Sequence, residues 1–432
     1  MVIVGGGIGG AALALALQQR CIRCIVIERD SCEASRAQGY GLTLQQGARA
    51  ARRLGILPAI ISDASVCYRP GWKGPVHRSF THRGEMLGSF GGGGASSKPD
   101  HAFKNIIISR ALLRKNLLNQ LHDGTVLWNT TLQHAAAAAD GDDKLLRLSI
   151  GNTTIETPLL IGADGVRSTV RNLFFSNKSL SYLGVMVILG ITDRNTSAAN
   201  PHPLDTGDIF ESVDGESRLY AMPFSRGGQG TPPRDMWQLS FPVANEEEAL
   251  ALSRAGASEL LETARRRCDK WHAPIPSMLD GTSSLEVSGY PLYDFDIPIR
   301  DFPRRIALLG DATHPMAPFK GQGANQAMLD AVALAEALYD STLGDSAFAK
   351  RWKQEQTQGG ESRYGPRSRC DPTMALEGYA AEMAARSAVK MRRSREAAEL
   401  LHSPAALAVN NDTRAAAARK ALEKEKAQQQ QQ

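Results

Sequence analysis

Short apolar runs and a cluster of glycines alternate over the first thirty residues of the chain. Five of the six residues from 5 to 10 are glycine, and apolar residues flank them on both sides. A short apolar run bounded by glycine is typical of a buried parallel strand. Apolar residues that recur every three and four positions over a longer segment are typical of a helix. The pattern predicts a strand from Val2 to Val4, a helix from about Gly9 to Gln19 and a strand from Ile22 to Glu28.

A similar succession of strand, loop and helix is predicted near residues 305–331, where an apolar run precedes GDATHPMAPFKGQGANQAMLDA. Apolar residues then recur at spacings of three and four, as in a helix with one buried face. Pro315 and Pro318 prevent that helix from beginning early, and Gly321 and Gly323 leave the backbone bare where it begins. Such a loop lets backbone N–H groups and the positive end of a helix meet an anionic or electron-rich ligand.

The middle of the chain has a different pattern, with β-branched and aromatic residues in short segments separated by turn residues. This pattern predicts an antiparallel sheet. The predicted strands are 182–192, 208–212, 218–225 and 235–243. Helical spacing predicts two further helices, at 245–272 and 374–402.

Composition narrows the class of protein. The chain has 432 residues, 42% of them hydrophobic, and a net charge of +5, which suits two domains that share a large core. The basic residues are dispersed, so no nucleic-acid partner is expected. No charge-free apolar run of 18 residues occurs beyond the first twenty, and these lack the positive start of a signal peptide. We therefore expect a cytoplasmic protein without a membrane anchor.

The six cysteines do not predict a disulfide framework in a chain of this length. Cys21 and Cys24 form a CxxC pair, but no second pair accompanies them. Zinc and redox chemistry are therefore not expected, and two buried thiols are the preferred interpretation. We expect no metal site.

The first glycine cluster fits the GxGxxG dinucleotide pattern with Gly5, Gly7 and Gly10, and Glu28 ends the next predicted strand. Gly5 permits the tight turn, Gly7 lets the backbone approach a pyrophosphate and Gly10 allows close packing of helix on strand. Glu28 can accept hydrogen bonds from a ribose diol and would repel a 2′-phosphate. The pattern predicts an ADP-containing dinucleotide other than NADP at this site, and leaves NAD and FAD open.

A second signature, TPLLIGADGVRSTVR at 157–171, again places Gly-Ala-Asp-Gly after an apolar strand. Three predicted strand ends therefore carry glycines or acids: Gly5 to Gly10, Asp164-Gly165 and Gly310-Asp311. The carboxyl ends of strands in a doubly wound sheet line one crevice. A single extended ligand could touch all three strand ends, and FAD has that reach.

The three signatures together resemble the single-component FAD-dependent aromatic hydroxylases of the para-hydroxybenzoate hydroxylase type. IISRALLRKNLLNQLHDGTVLW at 107–128 further resembles the branch with tetracycline-inactivating and salicylate-hydroxylase-like monooxygenases. The resemblance implies an α/β fold, with a Rossmann-like FAD-binding domain of the GR2 type, an inserted antiparallel β-sheet substrate domain and a C-terminal helix.

The expected domain division follows from this architecture. The FAD-binding domain is expected at 1–65, 101–175 and 286–345, and the substrate-binding domain at 66–100 and 176–285. Residues 346–411 would form a loop and the C-terminal helix, and 412–432 a disordered, glutamine-rich tail.

The motifs and the resemblance assign a set of cofactor contacts. Arg110 has independent support, because a cation at a helix N-terminus is disfavoured unless an anion lies nearby. Asp311 would hold the ribityl or pyrophosphate part of FAD, and Asp164 would contact both FAD and NAD(P)H. The assigned cofactor residues are Gly5, Gly7, Ile8, Gly9, Gly10, Glu28, Arg29, Arg36, Arg110, Asp164, Gly310, Asp311, Gly321, Gly323, Ala324 and Asn325.

The resemblance also implies the reaction. NAD(P)H, either NADPH or NADH, would reduce bound FAD, and O2 would form a C4a-hydroperoxyflavin that delivers one oxygen atom to an aromatic or polycyclic phenolic or enolic small molecule. The catalytic residues would be Pro318, Gly321, Gln322 and Gly323. The backbone N–H groups from Gly321 to Ala324 would stabilise charge on the reduced flavin, and Pro318 would shape the face of its ring. His314 is expected to be structural and to bond the backbone around the Pro315 turn, and Asp330, inside the predicted helix, is expected to make a buried polar contact. We expect a monomer or weak homodimer.

Two other functions stay open from the sequence. One is an FAD-dependent reductase or oxidase that inserts no oxygen, and the other is a flavin-binding interaction protein that has lost its activity. The second strand–GxGxxG–helix unit of two-dinucleotide flavin reductases is missing from the sequence, which favours the monooxygenase over the reductase. Gly321 and Gly323 argue against lost activity, because a dead site has no need of a bare backbone there.

Overall fold

The computed structural model describes residues 1–36, 39–66, 75–91, 105–137, 145–175, 179–194, 204, 207–228, 230–295, 302–343 and 372–409. The α-helices in these residues are α1 (Ile8–Gln18), α2 (Gly47–Arg53), α3 (Leu57–Asp63), α4 (Arg110–Leu118), α5 (Thr169–Phe174), α6 (Glu246–Arg254), α7 (Ala257–Cys268), α8 (Ile275–Asp280), α9 (Gly323–Leu343) and α10 (Pro372–Leu401). Short 3-10 helices span Glu33–Arg36, Gly310–Ala312, Pro318–Lys320 and Pro404–Leu407.

The strands group by position along the chain. The first eleven are β1 (Val2–Val4), β2 (Ile25–Ile27), β3 (Gly41–Leu44), β4 (Val76–Thr81), β5 (Met86–Gly91), β6 (Ile106–Ser109), β7 (Val126–Leu127), β8 (Leu132–Ala137), β9 (Leu146–Ile150), β10 (Thr153–Thr157) and β11 (Leu160–Gly162). The other six are β12 (Ser181–Asp193), β13 (Ile209–Val213), β14 (Arg218–Ser225), β15 (Arg234–Pro242), β16 (Thr282–Asp294) and β17 (Ile306–Leu308).

A parallel sheet with the order β17-β11-β1-β2-β7 confirms the Rossmann-like half of the fold. Strand β1 is central, and Ile3 pairs with Ile161 on one side and Val26 on the other. Helices α1 and α9 pack on this sheet through a shared apolar core. Because all five strands run the same way, the three glycine and acid signatures meet at one edge, as the sequence predicted.

The second large sheet has the order β16-β12-β15-β14-β13-β4-β5 and confirms the predicted antiparallel sheet. Its pairs are antiparallel except for β13 with β4, which run in parallel. Helices α6, α7 and α8 lie against this sheet, and α7 and α8 share an apolar core with it. A separate small sheet, β10-β9-β8, and the pair β3-β6 are formed by chain segments that lie between strands of the parallel sheet.

The domain division stays a proposal. Strands β4 and β5, from the expected insert at 66–100, lie in the same sheet as β12 to β15. The expected boundary at residue 286 falls inside β16. The loop part of 346–411 up to residue 371, and the tail at 412–432, lie outside the described residues.

Two local predictions are wrong. The single helix predicted at 245–272 is two helices, α6 and α7, because Gly256 has a φ of 95° and interrupts the helical backbone. The two buried thiols are also not found, since Cys21 is exposed and Cys24 half-buried. Strand β2 begins at Ile25 and not at Ile22, so both cysteines precede it in the turn that follows α1.

The predicted C-terminal helix is present as α10, and it contacts both halves of the molecule. It packs along α9, and Tyr379 donates a hydrogen bond of 3.0 Å to the carbonyl of Leu308 in β17. Its other end contacts the seven-stranded sheet through Ala398. No helix among the described residues has the length and apolar character needed to cross a membrane.

Candidate active site

A cavity of about 970 Å³ lies between the loops at the edge of the parallel sheet and one face of the seven-stranded sheet. This volume is at the upper end of the usual range for ligand sites. Its walls include Arg110, Asp311, Pro318, Gly321, Gln322, Gly323 and Ala324, which the sequence had placed in the cofactor and catalytic site. The fold therefore brings together residues that are more than 200 positions apart.

Gly5 and Gly10 of the first glycine loop have no room for a side chain. Gly5 has a φ of 101°, and a Cβ added at Gly10 would overlap the carbonyl oxygen of Gly5. A Cβ added at Gly7 would lie 4.0 Å from Nη2 of Arg110, which lines the cavity. The bare backbone between β1 and α1 therefore lies near the guanidinium of Arg110. A pyrophosphate site requires such a combination of free backbone N–H groups and positive charge.

Glu28 is buried and already has protein partners. Its carboxylate accepts hydrogen bonds from the N–H groups of Gly6, at 2.7 Å, and Asp30, at 3.0 Å. Arg114 lies 3.7 Å away through Nη2 and donates from Nε to the carbonyl of Gly6 at 2.7 Å. A carboxylate offers about four lone-pair sites, so acceptor capacity for a ribose diol remains. No sequence motif identified Arg114, which holds the glycine loop from α4.

The side chain of Asp164 binds the N-terminus of α5. Its carboxylate accepts from the hydroxyl of Ser168 at 2.5 Å and from the N–H of Thr169 at 2.6 Å. Burial raises its pKa, although the hydrogen bond from Ser168 opposes that rise. Arg171, also buried, donates to the carbonyls of Val166 at 2.6 Å and Ala312 at 2.9 Å. The second and third signatures are thus joined by one guanidinium.

Asp311 keeps accessible surface inside the cavity. The surrounding protein shields it from bulk water, and this desolvation raises the pKa of its carboxyl, with His314 and Arg110 opposing the rise. A Cβ added at Gly323 would lie 3.5 Å from Oδ1 of Asp311. The strand-end acid and the start of α9 therefore face the same space, where a ligand hydroxyl would be a suitable donor.

The loop before α9 exposes its backbone to the cavity. Pro318 begins a 3-10 turn that ends at Gly321, whose φ of 60° favours glycine. An added Cβ there would meet no atom within 4 Å, so the glycine keeps this cavity wall open. The buried side chain of Gln322 donates to Oε1 of Gln45 at 2.9 Å and fixes the loop to the segment after β3.

Asn325 anchors the same loop and does not line the cavity. Its Oδ1 accepts from the N–H groups of Gln45 at 2.8 Å and Gly47 at 2.7 Å. Its Nδ2 donates to the carbonyls of Thr43 at 2.9 Å and Gly321 at 2.7 Å. All four bonds are used within the protein, so the amide acts on a ligand through the position of the loop.

The other assigned residues lie in or near these three loops. Ile8, Gly9 and Gly10 form the first turn of α1, and an added Cβ at Gly9 would lie 2.5 Å from Leu309. Gly310 donates from its N–H to Asp330 at 2.8 Å. Arg29 is exposed, and Arg36 ends a 3-10 helix; the side chain of Arg36 lies outside the described residues.

A buried charge network lies beneath the third signature and was only partly foreseen. The predicted buried polar contact of Asp330 is confirmed, because His314 Nε2 lies 2.6 Å from Asp330 Oδ2 and both side chains are fully buried. Arg386 of α10 donates to Oδ1 of Asp330 at 2.8 Å. His314 bonds a carboxylate and not the backbone of the proline turn. The ion pair between Arg386 and Asp330 connects the C-terminal helix to the loop that carries Asp311.

The network predicts a pH dependence of stability. Burial alone would raise the pKa of Asp330, but His314 and Arg386 outweigh burial and lower it to about 2. An unfolded Asp titrates near 3.9, so about 2 kcal/mol of stability should be present above pH 4 and be lost between pH 4 and 2. Burial opposes protonation of His314, but Asp330 raises its pKa above 6.5. The stability that protonated His314 contributes should therefore be present below pH 6.5 and be lost as pH rises through the raised pKa of His314.

Urea unfolding of the wild type and Asp330→Asn at pH 2.5, 5 and 9 measures this dependence. The difference in the free energy of unfolding between the two proteins should be largest at pH 5. A difference that is the same at all three pH values would contradict the assignment of these charges.

The opposite wall of the cavity comes from the seven-stranded sheet, and no sequence motif identified it. It combines apolar side chains with a few polar ones at its centre, and α10 adds Ala397, Leu400 and Leu401 at one end. The sheet residues on this wall include His77, Leu189, Ile209, Glu211, Arg218, Tyr220, Met222, Met236, Gln238, Tyr290 and Leu292. Phe319, beside the loop glycines, faces the same space. Apolar walls around a few polar groups suit a small organic ligand.

The chain is similar to proteins of known function along most of its length. The family described as "FAD binding domain" matches residues 1–174 and 300–352. The chain is 30% identical over 341 residues to aurachin C monooxygenase/isomerase of Stigmatella aurantiaca, which covers 78% of this chain and 80% of that protein. It is 29% identical over 341 residues to 3-amino-4-hydroxybenzoate 2-monooxygenase of Streptomyces cremeus, with 77% of each chain covered.

The fold is also similar to that of solved structures. HpxO of Klebsiella pneumoniae, complexed with FAD and uric acid, superimposes with a TM-score of 0.69 at 20% identity. The superposition covers 98% of this chain and 92% of that one. At this identity the likeness concerns the fold alone.

Proposed function

The chain belongs to the FAD binding domain family and is an FAD-dependent monooxygenase, and from this premise we propose that it uses NAD(P)H and O2 to insert one oxygen atom into an aromatic or polycyclic phenolic or enolic small molecule. The observation that carries the proposal is the shared cavity. Backbone and side chains suited to a dinucleotide form one wall, and an apolar sheet with a few polar groups forms the other. A cofactor ring and an organic ring could therefore lie side by side.

The residues present fit FAD. Arg110 lines the cavity at the start of α4, where a cation needs an anionic partner, and the bare backbone of Gly7 lies near its guanidinium. Asp311 offers a carboxylate to ligand hydroxyls. Gly321 and Gly323 leave no side chain between the backbone and a flat ring. These groups match a pyrophosphate, a polyol and an aromatic ring in the order found in FAD.

The mechanism assigns the chain a positioning and electrostatic role. FAD, when bound, would supply electrons taken from NAD(P)H and would activate O2. The N–H groups from Gly321 to Ala324 and the N-terminus of α9 would stabilise negative charge on the ring beside them. Pro318 would bound the space on the ring face. His314 is fully buried against Asp330 and needs no proton-transfer role.

The sheet wall would orient the organic substrate and keep water away from it. Met222, Met236 and Leu292 offer apolar contact to a ring, and Tyr220 and Arg218 offer hydrogen-bond donors. Exclusion of water would strengthen each electrostatic contact and protect the activated oxygen from side reactions. The named substrates of the relatives, including an aminohydroxybenzoate, support an aromatic substrate here.

The test begins with the flavin spectrum of the purified protein after reconstitution with FAD. NADH and NADPH oxidation is then followed with and without a panel of phenols, and the products are analysed after turnover in ¹⁸O2. We expect substrate-stimulated oxidation and one labelled oxygen atom per product molecule. Stimulated oxidation without label in the product would favour the reductase or oxidase, and a protein that binds no FAD would exclude all of these activities.

A further inference from the structure

Arg218 and Glu211 form a buried ion pair on the sheet wall of the cavity. They lie on the neighbouring strands β14 and β13, and both line the cavity. Arg218 is 3% exposed and Glu211 2% exposed. The reaction proposed above uses Arg218 as a hydrogen-bond donor, but it does not require a buried pair of opposite charges at this place.

Glu211 already compensates the charge of Arg218. The Nε–H of Arg218 donates to Oε2 of Glu211 at 2.7 Å. The other carboxylate oxygen accepts from the hydroxyl of Ser79 at 3.1 Å, and Nε2 of His77 lies 3.7 Å from it. Burial lowers the pKa of Arg218 only to about 10, so the guanidinium stays charged at neutral pH.

The guanidinium nevertheless keeps hydrogen-bond donors for a ligand. Its central carbon lies 4.7 Å from the ring centroid of Tyr220 and 5.5 Å from that of Phe319. Its Nη1 is buried and has no hydrogen-bond partner among the described residues. Buried donors in native proteins are nearly always paired, so a ligand atom is the fitting partner for this group.

The geometry points to a substrate that presents a neutral oxygen acceptor, such as a ketone or an un-ionised enol or phenol, to Arg218 and is preferred over the matching aromatic carboxylate. This inference rests on the proposed function, because it specifies the substrate of the same cavity. A neutral oxygen completes the hydrogen bonding of Arg218 without adding charge. A carboxylate at the same place would add a second negative charge beside Glu211 in a water-poor site, where like charges repel strongly.

Equilibrium binding tests the preference without turnover. Isothermal titration of the FAD-loaded protein at pH 7 compares acetophenone with benzoate, whose only oxygen-bearing groups are the ketone and the carboxylate offered to Arg218. We expect the ketone to bind at least tenfold more tightly. In Glu211→Gln the guanidinium loses its compensating charge, and the preference should shift toward the carboxylate by at least tenfold.

A matched control lies on the same sheet outside the cavity. Glu286 in β16 pairs with Arg234 at 2.6 Å and does not line the cavity. Glu286→Gln should leave the ratio of the two affinities unchanged. If Glu211→Gln fails to fold, the double variant Arg218→Gln with Glu211→Gln leaves no unpaired charge, and it should lose at least tenfold in affinity for the ketone.

Three results would overturn the inference: tighter or equal binding of the carboxylate by the wild type, an equal effect of Glu211→Gln on both ligands, or no measurable binding of either ligand. Its failure is separable from failure of the proposed function, which is judged by ¹⁸O incorporation. A protein that prefers the ketone but transfers no oxygen would retain this binding preference and lose the proposed reaction.

Discussion

Replacement of Arg386 by methionine is expected to lower the free energy of unfolding by about 3 kcal/mol, because it leaves a buried carboxylate without one of its two cationic partners. Arg386 donates to Asp330 at 2.8 Å, and Asp330 is fully buried. The loss should also loosen the loop that carries Asp311, since Asp330 holds the N–H of Gly310. Urea unfolding and the ratio of flavin to protein after gel filtration measure both effects.

Two comparisons separate the lost charge pair from lost packing. Arg392→Met changes an exposed arginine of the same helix, whose pairing with Glu396 is 4.0 Å long, and should change stability by less than about 0.5 kcal/mol. Asp330→Asn combined with Arg386→Met should recover part of the loss, because no buried charge is then unpaired. Purely additive effects of the two substitutions would refute the charge explanation.

Gly10→Ala is expected to reduce stability by about 3 kcal/mol and to yield protein that retains little FAD. The added Cβ would overlap the carbonyl oxygen of Gly5, which is backbone and cannot rotate away. Overpacking of this kind costs about 1–3 kcal/mol when side chains can adjust, so the upper end applies here. Helix α1 would have to move off β1, and its N-terminus would leave the place where we propose the pyrophosphate binds.

The control is a helical glycine with free space around it. Gly378 lies inside α10, and an added Cβ there would meet no atom within 4 Å. Gly378→Ala should therefore stabilise the protein by about 0.5–1 kcal/mol through helix propensity alone. Thermal unfolding and flavin absorbance measure both variants. A Gly10→Ala protein with wild-type stability and full FAD occupancy would show that the loop packs differently from this structure.

Sequence patterns were most informative where structure depends on neighbours in the chain. Strand β1 was predicted with its observed bounds, and α1 within one residue of them, because glycine spacing and apolar period are local properties. The same reasoning failed at Gly256. The apolar period continues across this glycine, but its positive φ separates α6 from α7.

The glycines and acids of the three signatures, and the FAD-dependent class, followed from the sequence because each signature contains its own strand, turn and helix start. Only the tertiary structure revealed the arginines that hold these signatures: Arg114, Arg171 and Arg386. Each acts on residues far away in sequence, such as Gly6, Ala312 and Asp330. A guanidinium has no local pattern that marks its partner.

The sequence by itself determined the glycine loops that we propose bind the cofactor, since a dinucleotide loop is a local arrangement of backbone that particular residues at particular spacings can adopt. The tertiary structure alone decided the cavity wall that we propose binds the substrate. Arg218, Glu211 and Phe319 meet in one cavity because β14, β13 and the loop before α9 are brought together by folding. Their chemistry depends on mutual distance and burial, and neither quantity is encoded in the order of nearby residues.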